Sequence, residues 1–243
     1  SPRRVTREGI HFQLDLSDVV DWFIFYAFHE AGRERLWPLV PKNGTVLDVG
    51  ANVGQTLLTF SKLVGARGVV HGFEPDPTNF DRLTVNLSLN PNLVNIRAHR
   101  VGLGEMPGGL EIAIINPANR GMNRILPKQD ARNTDARCST IRIETIDTFV
   151  ARQSLQKVDV LKIDVEGYES HVLKGGLKTL SRDKPLVFVE LNDNMLRSMG
   201  SSTADVVTLL ENLRYRLEDA STGRQIAPTD NFRDTHFDLL GLL

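Results

Sequence analysis

Residues Val46 to Gly54 read VLDVGANVG, an apolar strand that runs straight into a glycine turn and then a helix. Few arrangements of a chain need that order. Gly50 lets the backbone turn tightly, and Gly54 lets the following helix approach the strand closely. The segment therefore predicts the opening unit of a Rossmann-like α/β sheet. The rest of the chain repeats the alternation. Strands are expected at Thr45 to Val49, Gly68 to Phe73, Val94 to His99, Val158 to Ile163 and Leu186 to Glu190. Helices are expected at Val53 to Val64, Asp76 to Leu89, Glu169 to Leu180 and Thr203 to Leu213. This pattern builds a parallel sheet covered on both faces. Tyr215 to Glu218 and His236 to Leu240 supply two last strands, expected as an antiparallel pair.

Two stretches depart from the alternation. Val5 to Leu16 reads as an extended or hairpin lead-in. Asp18 to Leu39 then has helical periodicity, with Trp22, Phe25, Tyr26 and His29 near one face, expected to pack on the core. Leu110 to Ile115 and Thr140 to Ile143 alternate like antiparallel strands. The polar segment 116–139 between them has the length of a lid, a binding loop or disorder, and its Arg120, Arg124, Arg132 and Arg137 read as recognising an anionic acceptor or as an ordinary solvated loop. The expected organisation is one domain, with a flap at 1–41, a Rossmann-like core at 42–243 and an insertion at 110–143. A chain of 243 residues is long enough for that core. The 29 Lys and Arg against 30 Asp and Glu leave a net charge of -1, which points away from nucleic acid and from an anionic membrane surface. Cys138 stands alone, so no disulfide framework is expected, and a cytoplasmic setting fits best. No feature sets an oligomeric state.

The spacing inside the glycine turn separates two ligands. A dinucleotide fingerprint reads G-x-G-x-x-G, its middle glycine admitting a pyrophosphate. Here the pattern is D-x-G-x-x-x-G, with Asp48 where that fingerprint begins. A carboxylate there repels pyrophosphate but accepts charge-assisted hydrogen bonds from an ammonium group. Glu74 ends the next strand, where an acid can accept both hydroxyls of a ribose. A cationic nucleoside without phosphate, S-adenosylmethionine, meets both conditions. The plainer reading has Asp48 and Glu74 capping helices or solvating strand ends.

Three segments, VLDVGANVG at 46–54, FEP at 73–75 and LKIDVEGYE at 161–169, resemble the FkbM family of S-adenosylmethionine-dependent methyltransferases, in the same order between Glu30 and Tyr215. The resemblance implies a class I methyltransferase fold, a seven-stranded sheet with a reversed last strand. It also implies O-methylation of a sugar or secondary metabolite. By that resemblance Asp48, Gly50, Ala51, Asn52 and Gly54 form the glycine loop, and Glu74 with Pro75 faces the ribose. Gly102 and Leu103 border adenine. Lys162, Asp164 and Glu166 lie beside the transferred methyl, and Glu190 matches an acid that ends the fifth strand.

Read from its own residues, Lys162-Ile-Asp-Val-Glu166 puts charges on alternate positions, which in a strand face one side. Unpaired burial of such charges is costly, so a use is expected. Lys162 would keep a neighbouring carboxylate ionised. A hydroxyl acceptor must lose a proton, and Asp164 or Glu166, then Glu190, are the candidate bases. Asp164, Glu166 and Glu190 also offer hard oxygens to Mg²⁺ or Ca²⁺. The bland alternative leaves Glu166 and Glu169 solvated at a helix start. His171, near the same crevice, is the histidine worth testing as a base. Two other readings remain: a nicotinamide-dependent oxidoreductase, and a non-catalytic cofactor-binding subunit.

Overall fold

The computed structural model describes residues 2–114, 124–125 and 137–243. A hairpin of β1 (Arg3–Arg7) and β2 (Ile10–Leu14) leads in, followed by α1 (Val19–Phe25), α2 (Ala31–Leu36) and a 3-10 turn at Trp37–Leu39. The core begins with β3 (Thr45–Val49), α3 (Gln55–Val64), β4 (Val69–Phe73), α4 (Pro77–Ser88) and β5 (Ile96–His99). The short strands β6 (Gly102–Leu103), β7 (Gly108–Ile114), β8 (Arg124–Ile125) and β9 (Arg137–Glu144) then form a separate small sheet in the order β6-β9-β7-β8. The core resumes with α5 (Ile146–Arg152), β10 (Val160–Ile163), α6 (Glu169–Lys174), α7 (Leu177–Asp183) and β11 (Leu186–Asn192). It ends with α8 (Asp193–Ser198), α9 (Thr203–Asn212), β12 (Arg216–Asp219) and β13 (His236–Leu242).

Seven strands make the main sheet in the order β12-β13-β11-β10-β3-β4-β5. β3, β4, β5, β10 and β11 pair in parallel, and β13 runs against both β11 and β12. This is the expected class I methyltransferase topology, reversed strand included. Alternate residues divide the core between the two faces, as strand geometry requires. Leu47, Val49, Leu161, Ile163, Val187 and Val189 enter one apolar cluster, while Val46, Val160, Phe188 and Leu240 enter the other with Leu36 and Val40.

That second face positions the site. Going up it, Val46 is followed by Asp48, Val160 by Lys162, and Phe188 by Glu190 and Asn192. On β13 the order inverts, because the strand runs the other way. His236 and Asp238 come first and Leu240 last, in register with Asn192, Glu190 and Phe188 respectively. The face is thus apolar at one end and polar at the other.

Three expectations are corrected. The single helix over Asp18 to Leu39 is two helices, because Ala27 takes φ 55° and breaks the run. Trp22 and Tyr26 do not pack into the core: Trp22, Phe23, Tyr26 and Phe28 meet one another in tilted and edge-on contacts as an exposed aromatic group, and His29 is exposed and bonded to Glu34. The helix over Glu169 to Leu180 is interrupted at Gly175 and Gly176. Among the described residues no helix is long and apolar enough to cross a membrane. Arg120 and Arg132 lie outside the described residues, as do the side chains of Arg124 and Arg137.

Candidate active site

A cavity of about 640 Å³ opens over the carboxyl ends of β3, β4, β10 and β11, within the range of roughly 300–1,000 Å³ usual for small-molecule sites. The flap closes one side with Val19, Phe23 and Phe28, and Ile112 and Ile141 of the small sheet reach the other. Ligands of open α/β sheets bind at this edge because strand ends and helix starts present free backbone groups there.

The loop after β3 is tied to its neighbours by main-chain bonds. The Gly50 and Ala51 N–H groups both donate to the Phe73 carbonyl at 3.0 Å. Gly50 takes φ 80°, and a Cβ there would lie 1.8 Å from the Asp164 carbonyl oxygen, so only glycine fits between β3 and β10. Glu74 is anchored just beyond. Its Oε2 accepts the Asn52 N–H and its Oε1 the Asp76 N–H, each at 2.9 Å. Burial outweighs those bonds and raises its pKa to about 7. Ala51, Asn52, Glu74, Pro75, Gly102 and Leu103 all line the cavity. Gly54 does not line it; it packs against Leu83.

Lys162 is the electrostatic centre. Only 2% exposed, its Nζ lies 3.2 Å from Asp48 Oδ1 and 3.4 Å from Asp164 Oδ2, and donates to the Gly50 carbonyl at 2.8 Å. Asp48 departs from expectation here. Its carboxylate is fully buried, accepts from Thr56 Oγ1 at 2.7 Å, and is absent from the cavity wall. The acid that reaches the cavity beside the glycine loop is Asp164, whose pKa is lowered although burial opposes it, chiefly by the Lys162 charge.

Asp164 is hydrogen-bonded in turn to Glu190, and the Asp164 charge together with burial pushes the Glu190 pKa far up. The two carboxyls share a proton, since two adjacent carboxylates cannot both stay ionised cheaply. Glu190 Oε1 also meets His236 Nε2 at 2.6 Å. Asp238 completes this polar end, raised to about 6 by burial, with its side chain pressed against Gly32 of the flap. The sequence reading missed His236 and Asp238, because it sought polar residues at carboxyl ends and β13 presents its amino end here.

Glu166 lies past the end of β10 at φ 55° and lines the cavity, so alternation carries the charges only as far as Asp164. Glu169 is not solvated. It is 2% exposed, its Oε1 accepts the Val165 and Gly167 N–H groups, and burial raises it to about 7. It fastens the turn from which Glu166 projects. His171 turns away from the cavity toward Glu105 and the Met199 carbonyl. Among the described residues no three His, Cys, Asp or Glu side chains are gathered as a metal would need.

The profile described as the methyltransferase FkbM domain matches residues 48–217, from the buried Asp48 to β12. This chain belongs to the FkbM methyltransferase family. Within that family's reach it is 30% identical over 177 residues to the hexuronic acid methyltransferase AglP of Haloferax volcanii, covering 73% of this chain and 65% of that protein. It is 30% identical over 161 residues to the methyltransferase sdnD of Sordaria araneosa, covering 56% and 61%. The 2-O-methyltransferase NoeI of Sinorhizobium fredii is 25% identical over 171 residues, covering 62% and 64%. The matches thus span less than two thirds of each relative's own length. Among solved structures, an FkbM methyltransferase from Methylobacillus flagellatus KT superposes with a TM-score of 0.53 at 18% identity, over 82% of this chain and 44% of that one. TYW2 of P. horikoshii, in complex with MeSAdo, gives 0.51 at 14% identity, over 99% and 70%. These two likenesses establish the FkbM chain's shared fold.

Proposed function

We propose that this chain is an S-adenosylmethionine-dependent O-methyltransferase whose acceptor is a hydroxyl of a sugar or other small metabolite. The observation that carries the reading is Glu74. Two backbone N–H groups hold its carboxylate at the cavity wall, one strand from a glycine turn, where the paired hydroxyls of a ribose would donate to it. Family membership supports the reaction. The names of AglP and NoeI, a hexuronic acid methyltransferase and a 2-O-methyltransferase, support a sugar hydroxyl as acceptor.

The cofactor supplies a methyl group already activated on a sulfonium. The remaining work falls to this chain's residues. Pro75, Gly102 and Leu103 border the adenine, and Asp164 receives the ammonium that sequence spacing had assigned to Asp48. Lys162 keeps Asp164 ionised and locks the loop through the Gly50 carbonyl. Phe23 and Phe28 line the mouth, and the cavity must bring the acceptor oxygen and the methyl carbon to about 3–3.5 Å. A divalent cation has no part in the reading, because Asp164 and Glu190 are already engaged with Lys162, each other and His236.

Isothermal titration with S-adenosylhomocysteine tests the reading, with NADH as the parallel ligand. Clear binding of the former is expected, weakened at least about tenfold in Glu74→Ala, as loss of hydrogen bonds to a charged group implies. Tight NADH binding without S-adenosylhomocysteine binding would sink it.

A further inference from the structure

We propose that His236 takes the proton of the acceptor hydroxyl while Glu190 holds its imidazole in place. The proposal rests on the methyltransferase reading above. Its basis is the reversed strand. β13 runs against β11, so its first residue stands where the parallel strands end, level with Asn192 and diagonal to Glu190. His236 Nε2 lies 2.6 Å from Glu190 Oε1, and both side chains line the cavity.

The rest of the polar end fixes the tautomer. Glu190 is also hydrogen-bonded to Asp164, which Lys162 keeps ionised, so the shared proton belongs to Glu190 and is given to Asp164, leaving Oε1 to accept from His236 Nε2–H. Nδ1 then carries the free lone pair, and no bond to it is found among the described residues. A side-chain oxygen that accepts from one imidazole N–H, so that the other nitrogen can act as base, is a recurrent catalytic arrangement. The neighbouring acids serve worse. Lys162 keeps Asp164 ionised but weakly basic, and Glu190 already holds a proton. The charged groups that act on Glu190 are Asp164 and Glu166 after β10 and Asp238 on β13, and Arg33 and Glu30 on the flap and Lys162 on β10 act in turn on Asp238.

As the acceptor oxygen bonds to the methyl carbon, the carbon–sulfur bond breaks and its electron pair stays on sulfur, giving S-adenosylhomocysteine. The O–H proton passes to Nδ1 of His236. The resulting imidazolium faces Glu190, and the side chain is 57% exposed, so the proton leaves to solvent.

Imidazole NMR tests this without an acceptor. His236→Gln identifies the resonance among the six histidines. Its titration midpoint is then compared in protein saturated with S-adenosylmethionine and with S-adenosylhomocysteine. A sulfonium within reach of the imidazole should lower the midpoint, by about half a pH unit in water-like surroundings, relative to the neutral thioether. Glu190→Gln, whose amide oxygen still accepts and whose NH2 can donate to Asp164, should keep the Nε2–H tautomer, whereas Glu190→Leu should lose it. In methyl transfer from labelled cofactor to a panel of methyl glycosides and methyl glucuronides, His236→Gln should lose about 10²–10⁴-fold in kcat with S-adenosylhomocysteine affinity within about twofold. Equal midpoints with both ligands bound, or an unchanged kcat, would overturn the proposal. Failure of wild-type protein to bind S-adenosylhomocysteine would instead remove the cofactor reading beneath it.

Discussion

The Asn52 N–H donates to Glu74 Oε2 at 2.9 Å, so the turn after one strand holds the acid that ends the next. The bond makes cofactor binding sensitive to pH. Glu74 sits near pH 7 because burial opposes its charge, and hydroxyl donors favour the ionised form. Below that value binding must first expel the proton. Affinity for S-adenosylhomocysteine should fall about tenfold between pH 8 and pH 6, with proton release on binding. Calorimetry in two buffers of different ionisation enthalpy measures both. A flat profile in wild type, or the same slope in Glu74→Gln, would show that another group governs binding.

Among the described residues, Lys162 supplies the only counter-charge within 4.0 Å of the buried Asp48 carboxylate. Lys162→Met should therefore leave Asp48 and Asp164 facing each other unneutralised and release the Gly50 carbonyl. Removing one partner of a buried pair costs about 3–5 kcal/mol. Urea unfolding should show that loss, and the double variant Asp48→Asn with Lys162→Met should recover more than half of it. A single variant within about 1 kcal/mol of wild type would mean that the triad contributes little to folding.

Glu169 gives an effect of opposite sign from that of an ordinary surface acid. Its folded pKa of about 7 lies above the ordinary 4.5 of a glutamate, so the folded state binds the proton more tightly. Its stabilising contribution is complete below pH 4.5 and is lost as pH rises through 7. On the order of 3 kcal/mol is at stake for one buried acid. Thermal unfolding of the apo protein should thus give a higher Tm near pH 5.5 than near pH 8. Glu74 adds to the same trend. Glu169→Gln should flatten the profile, and a Tm that climbs steadily to pH 8 would contradict it.

Much of this was legible in the sequence for a physical reason. A parallel strand buried on both faces has to be apolar, so Asp48, Lys162, Glu190 and Glu74 stood out against Val, Leu and Ile. Each marks a strand end at the crevice. Direction was not legible. Charge spacing placed Asp48 at the strand tip, but only packing reveals that Lys162 and Thr56 claim its oxygens and hand the cavity to Asp164. His236 and Asp238 were hidden because the rule about carboxyl ends inverts on a reversed strand. Glu169 looked like a helix-start acid, and nothing local announces that the preceding turn folds its N–H groups back onto it. The flap misled for another reason. Its aromatics are spaced for burial, yet the break at Ala27 turns them toward the cavity mouth and solvent.

The two glycines of the first turn should differ sharply when a methyl is added. Both take positive φ, 80° at Gly50 and 97° at Gly54, so alanine meets backbone strain of about 1–3 kcal/mol at either. What lies beyond the Cβ differs. At Gly54 the nearest atom is Leu83 Cδ1 at 2.6 Å, the end of a side chain that can rotate. At Gly50 it is the Asp164 carbonyl oxygen at 1.8 Å, which cannot retreat without separating β10 from β3 and moving the Lys162 cluster with it. Gly54→Ala should give folded protein destabilised by about 2–4 kcal/mol, combining strain with modest overpacking. Gly50→Ala should give no cooperatively folding protein. Circular dichroism with denaturant titration separates the two, and a Gly50→Ala protein as stable as Gly54→Ala would show that β3 and β10 are not held together at that turn.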